Sequence, residues 1–208
     1  MNSKTILIAL AIIIGGVAVY LISNSLSTHP TMTEDTIPPG MHRMPDGTLM
    51  HHADMNMGHM MDMTVTSERE FVTGMIPHHQ EAVDTAQEVL ARGGTTAGIR
   101  TLAENIIAAQ ETEIALMKTW HEDWYGVPYI DTGTYQPMMR DLSGLSGATL
   151  DRVFLQDMIM HHEGALVMAE SVKPFIEHQE VTDLAELIIA TQTEEIALMQ
   201  DLLLELGE

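Results

Sequence analysis

The sequence predicts an all-α fold, two helical hairpins that close into a four-helix bundle, and three observations lead there. The chain states one pattern twice: Phe71-Val-Thr-Gly-Met75-Ile-Pro-His78-His79-Gln-Glu-Ala82 recurs as Phe154-Leu-Gln-Asp-Met158-Ile-Met160-His161-His162-Glu-Gly-Ala165. A second pattern repeats in step with the first: Gln110-Glu-Thr-Glu113-Ile-Ala-Leu-Met117 recurs as Gln192-Thr-Glu-Glu195-Ile-Ala-Leu-Met199. Between these motifs the apolar residues follow the helical period, and no segment reads as a strand. A repeat of this size is one supersecondary unit that cannot bury its apolar face alone, so two copies should pack together.

Taken in order, residues 1–24 carry a membrane signal. Lys4 precedes an uninterrupted apolar run from Ile6 to Ile22. At about 1.5 Å per residue that run nearly spans a bilayer core. It exceeds most signal-peptide cores and no Ala-x-Ala site follows, so we read an uncleaved signal anchor rather than a cleaved peptide. That reading puts the rest of the chain outside the cytoplasm, in the cell envelope on the periplasmic side. Residues 25–66 read as a disordered tether, with Pro30, Pro38, Pro39 and Pro45, scattered Gly and no period. More than half of residues 41–63 are Met or His.

The bundle domain is expected over 67–208, with repeats at 67–124 and 148–206. Ser67-Glu-Arg-Glu70 fits a capping box that starts the first helix, which stops at Gly93-Gly94. Pro77 removes one backbone bond inside it and should kink it beside the His pair. The second helix is expected over 96–124, with Glu113 interrupting its apolar face. Tyr125 to Gly147 reads as a long crossover. The third helix is expected over 148–172 and the fourth over 182–206. Hairpins joined by one long connection define a bundle of ferritin-like type.

Composition narrows the chemistry. The chain of 208 residues has no Cys, 18 Met, 11 His and a formal net charge of −21. Thiolate sites and disulfides are excluded. The acidity repels nucleic acid and anionic lipid and gathers cations, while solvated helix faces account for most of it.

On a helix, positions i, i+3 and i+4 share a face. Met75 therefore stands beside His78 and His79, and Met158 beside His161 and His162, with Met160 adding a thioether where the first copy has Pro77. The two rings of each pair point about 100° apart, so one of each is expected to face fully inward. Gln110, Glu113 and Met117 share a face on the second helix, as do Gln192, Glu195 and Met199 on the fourth. Thioether with imidazole selects Cu(I), or its soft analogue Ag(I), over Mg, Ca or Mn. Glu113 and Glu195 are expected to hold the free ring N–H of ligating His, with Gln110 and Gln192 beside them. Met117 and Met199 equally suit core packing, Met168 reads as core, and His121 and His178 read as surface or capping residues. In the tether, Met41, His42, Met44, Met50, His51, His52, Met55, Met57, His59, Met60, Met61 and Met63 could wrap a soft ion without a preformed pocket.

The motif Phe-x-x-x-Met-Ile-Pro-His-His-Gln-x-Ala at 71–82, followed by Ile-Ile-x-x-Gln-x-x-Glu-Ile-x-x-Met at 106–117, resembles the family called domain of unknown function 305, and the second copy at 154–165 and 188–199 matches as well. The resemblance covers nearly all of 67–206. It implies a ferritin-like bundle and extracytoplasmic copper and silver binding. It carries over to Met75, His78, His79, Gln110, Glu113 and Met117, and to Met158, His161, His162, Gln192, Glu195 and Met199. Thr85 departs from the family, which usually has Met there, as this chain does at Met168; the first site is then poorer in sulfur.

The leading expectation is a non-enzymatic copper buffer or chaperone, anchored in the envelope, with a copper-delivery protein as a possible partner. A ferritin-like metal oxidase would call for Glu-x-x-His on two helices, which the chain lacks. A structural or interaction module, with the His pairs serving helix packing, is the third reading.

Overall fold

A computed structural model describes residues 63–207, together with the backbone of residues 41–43 and 49–51. The expected anchor lies outside the described residues, as does most of the tether. Among the described residues no helix is long and apolar enough to cross a membrane. Strands β1 (Met41–Arg43) and β2 (Leu49–His51) pair antiparallel, with His42 opposite Met50. No strand was expected here, because three residues are too few to show a period of two.

The rest is helical: α1 (Glu68–Arg92), α2 (Ala97–Tyr125), α3 (Gly147–Val172), a 3-10 turn (Lys173–Phe175) and α4 (Gln179–Glu205). Helices α1 and α2 form one hairpin, α3 and α4 the other, and α1 packs on α3 between them. Ser67 caps α1 by accepting from Glu70 N–H, while Glu70 reaches back to Thr66 N–H at 2.8 Å. Helix α1 continues through Pro77 as one element. Gly126 ends α2 at φ 71°, a left-handed value that suits Gly, and its N–H bonds Glu122 O.

Helix α4 starts earlier than its sequence suggests because its cap comes from another helix. The buried Glu68 carboxylate accepts from Glu177 N–H and His178 N–H at 2.7 and 2.8 Å, and contacts His178 Nδ1 at 2.6 Å. His178 also stacks on Trp124. His121 is buried rather than on the surface, its Nδ1 2.9 Å from Val127 O where the crossover folds back. Met63, placed in the tether from sequence, is half-buried against the bundle, and the next-but-one residue, Val65, is buried with its N–H on Ser171 Oγ.

The apolar core falls into two blocks. One holds Phe71, Val72, Met75, Met117, Trp120, Met168 and Leu184; the other holds Ile99, Leu102, Leu150, Phe154, Met158, Met199 and Leu202. Met168 is core, as expected. On α2, α3 and α4 a polar stretch separates the two blocks in sequence: Gln110 to Glu113, His161-His162, and Gln192 to Glu195; on α1 the blocks overlap just beyond His78-His79, at Ala82 and Val83.

Candidate metal centre

The repeat brings eight polar side chains into one buried layer across the bundle. All four imidazoles are 0% exposed, and Gln110, Glu113, Gln192 and Glu195 are buried with them. The expectation that one ring of each pair faces inward is corrected: both do. Helix α1 has neighbours on two sides, so a 100° arc can be covered entirely. His78 turns toward α3 and His79 toward α2.

The layer is built twice over. His79 Nε2 lies 2.7 Å from Glu113 Oε2, and His162 Nε2 lies 2.8 Å from Glu195 Oε2. The second contact is a hydrogen bond. In the first the carboxylate sits off the ring N–H axis, so the pair is close without hydrogen-bond geometry. Each carboxylate thus serves its own hairpin's second His. The first His of each copy meets its counterpart: the His78 and His161 rings pack 3.8 Å apart between centroids, tilted by 37°.

Much of this layer lacks hydrogen bonds. Among the described residues neither ring nitrogen of His78 has a partner in hydrogen-bond geometry, nor do His162 Nδ1, Gln110 Oε1 and Gln192 Oε1. His161 Nε2 has only Glu81 Oε2 at 3.4 Å, an electrostatic contact beyond good hydrogen-bond length. Each orphaned buried polar group costs about 1–3 kcal/mol. Burial pushes the His78 pKa well below its ordinary value, and the neighbouring His161, His79 and His162 push the same way. Burial also lowers His161, with Glu81 opposing. The central pair is therefore neutral at neutral pH and carries free lone pairs, the form a metal needs.

The thioethers border the layer. Met75 and Met117 sit fully buried in one apolar block, Met158 and Met199 in the other. Met160 is half-buried on α3. Side chains of Met41, His42, Met44, Met50, His51, His52, Met55, Met57, His59, Met60 and Met61 lie outside the described residues. Among the described residues no three His, Asp or Glu side chains are arranged to hold an ion.

Sequence reasoning missed a neighbour from the crossover. Glu81, one turn beyond His78, accepts from Tyr135 O–H at 2.6 Å, Met138 N–H at 2.9 Å and Met139 N–H at 3.0 Å. Burial pushes the Glu81 pKa up, but the contacts with His161, Tyr135 and Met139 N–H outweigh it, so the net direction is down. Burial and Glu81 push the Tyr135 phenol above its ordinary value. The Tyr135 ring stands edge-on to His78 at 6.2 Å. The signal was in the repeat: Glu81 aligns with Gly164, a mismatch inside an otherwise kept motif.

The family model described as "Domain of unknown function (DUF305)" matches residues 23–121 and 68–203. No curated protein matches the sequence. Among solved structures, CopM in its Cu(I)-bound form is 32% identical with a TM-score of 0.63, covering 69% of this chain and 100% of CopM. CopM in its Cu(II)-bound form is 34% identical with a TM-score of 0.61, covering 67% of this chain and 97% of the other. A DUF305 fragment from Deinococcus radiodurans is 30% identical with a TM-score of 0.58, covering 67% and 97% respectively.

Proposed function

The chain belongs to the domain of unknown function 305 family, and from that premise we propose that it binds Cu(I), with Ag(I) as analogue, as a non-enzymatic copper buffer or chaperone outside the cytoplasm. The observation that carries the reading is the buried layer of four imidazoles with orphaned nitrogens. A packing role does not call for four such rings, because apolar residues of similar volume would fill the space without the cost of unmade hydrogen bonds. A soft ion with imidazole and thioether donors would offset that cost. Copper here is cargo.

The likeness to CopM, solved with Cu(I), Cu(II) and Ag bound, supports the choice of ion. A family member from Streptomyces coelicolor is named as a candidate secreted protein, which supports the extracytoplasmic assignment. The acidic surface would gather cations and the Met/His-rich 41–61 segment would capture them. In this reading Glu195 and Glu113 orient His162 and His79, and Met75, Met117, Met158 and Met199 stand beside the layer as reserve thioethers.

The test is metal analysis of untagged protein loaded anaerobically and challenged with a Cu(I) chelator. Copper that resists the chelator supports the proposal. Iron with oxidase turnover would point to an enzyme, and no retained metal at any loading would point to a structural module.

A further inference from the structure

We propose that the crossover between α2 and α3 completes the metal site, with Met138 supplying a thioether to an ion held at His78. This rests on the copper-binding reading above and adds a donor from outside the repeated helices.

The two copies of the repeat differ where the crossover touches them. Glu81 of α1 aligns with Gly164 of α3, and Gly74 of α1 aligns with Asp157 of α3. Glu81 grips the crossover at Tyr135, Met138 and Met139. Asp157 grips it again at Arg140, taking its backbone N–H at 2.9 Å and its guanidinium at 2.6 Å. Gly164 does the reverse and leaves space. A Cβ there would stand 3.4 Å from Met138 Sδ and 3.4 Å from His78 Nε2. The thioether and the imidazole nitrogen therefore border the same small volume, which only a residue without a side chain leaves open.

The pseudo-symmetric His78–His161 pair is thereby made unequal. Tyr135 and Met138 stand by His78, while the Glu81 carboxylate, fixed to the crossover, lies 3.4 Å from His161 Nε2. The His78 and His161 rings lie 3.8 Å apart between centroids and are tilted by 37°. Met138 already borders the space that His78 Nε2 borders. Glu81, which reaches no ion in this arrangement, is a positioning residue: it fixes the backbone from which Met138 projects.

The experiment uses the full chain with ¹³C-methyl methionine, titrated with Ag(I) and followed by NMR. Met138 is assigned from the resonance lost in Met138→Leu. The Met138 methyl is expected to shift at the same equivalents as the His78 ring. Cu(I) affinity of the His78 site in Met138→Leu is expected to fall on the order of tenfold or more. Glu81→Gln should shrink the Met138 response while leaving the methionines of residues 41–61 unchanged. A His78 ring that shifts while Met138 stays still overturns the proposal and leaves the helical site standing. If neither responds while the methionines of residues 41–61 do, both this proposal and the bundle site fall.

Discussion

Replacing Glu195 by Gln separates hydrogen-bond chemistry from packing, because size is kept and charge is lost. His162 Nε2 meets Glu195 Oε2 at 2.8 Å with both side chains buried. A carboxylate only accepts, so the ring N–H of this contact is on Nε2, and Nδ1, which has no partner among the described residues, is left for an ion. A hydrogen bond to a charged group contributes about 1.5–3 kcal/mol against about 1 for a neutral one. Glu195→Gln should therefore cost about 1 kcal/mol, a fall in Tm of about 3 °C for a domain of this size. Losing the group that fixes a ligating His typically costs about 10–100-fold in metal affinity, or about 1.4–2.8 kcal/mol. The assays are thermal unfolding, chelator competition at the bundle site, and ¹⁵N correlation of the His162 ring, which reads the tautomer directly. An Nδ1–H tautomer in the wild type with unchanged Tm in the variant would refute the reasoning.

Other outcomes follow from the same geometry. Unfolded, the His78 and His161 rings titrate near 6.5; folded, burial holds them lower. Between those values the unfolded chain binds more protons, so their contribution is intact above pH of about 6.5 and lost below it, at up to about 1.4 kcal/mol per pH unit for each ring. Melting temperature should fall from pH 7.5 to 5.5, and less steeply in His78→Leu; equal slopes would argue against a neutral buried ring. Gly164→Ala should raise helix propensity by about 1 kcal/mol while bringing a methyl within 3.2 Å of Met138 Cε. Copper affinity should drop without loss of Tm, and a drop in both would mean the space serves packing alone. Deleting residues 41–61 should lower the number of Cu(I) ions bound and spare the tightest site; disappearance of that site would move the main store to the deleted segment.

The hairpins were legible because each depends on local signals: the Ser67 cap, the Gly93-Gly94 stop and the doubled apolar period. The polar layer was legible as well, since His79 with Glu113 and His162 with Glu195 recur at fixed spacing in a repeat. What local spacing hid was the number of neighbours. A 100° separation suggests one buried ring on an isolated helix face, whereas α1 meets both α2 and α3 and buries two. The start of α4 was hidden because its cap, Glu68, lies 110 residues away from His178 in sequence. His121 looked terminal, and so exposed, until the crossover folded over it at Val127. Met138 and Tyr135 sit in a segment without period, where only tertiary contact gives a residue meaning. The mismatch of Glu81 with Gly164 was the one sequence clue, and a broken repeat is informative only once the rest of the repeat is known to hold.

The most direct test is a crystal of the full chain soaked with Ag(I) and read by anomalous scattering. We expect a peak inside the polar layer, within bonding distance of His78 and a methionine sulfur. Silver found only at exposed methionines, with the four imidazoles undisturbed, would contradict the account.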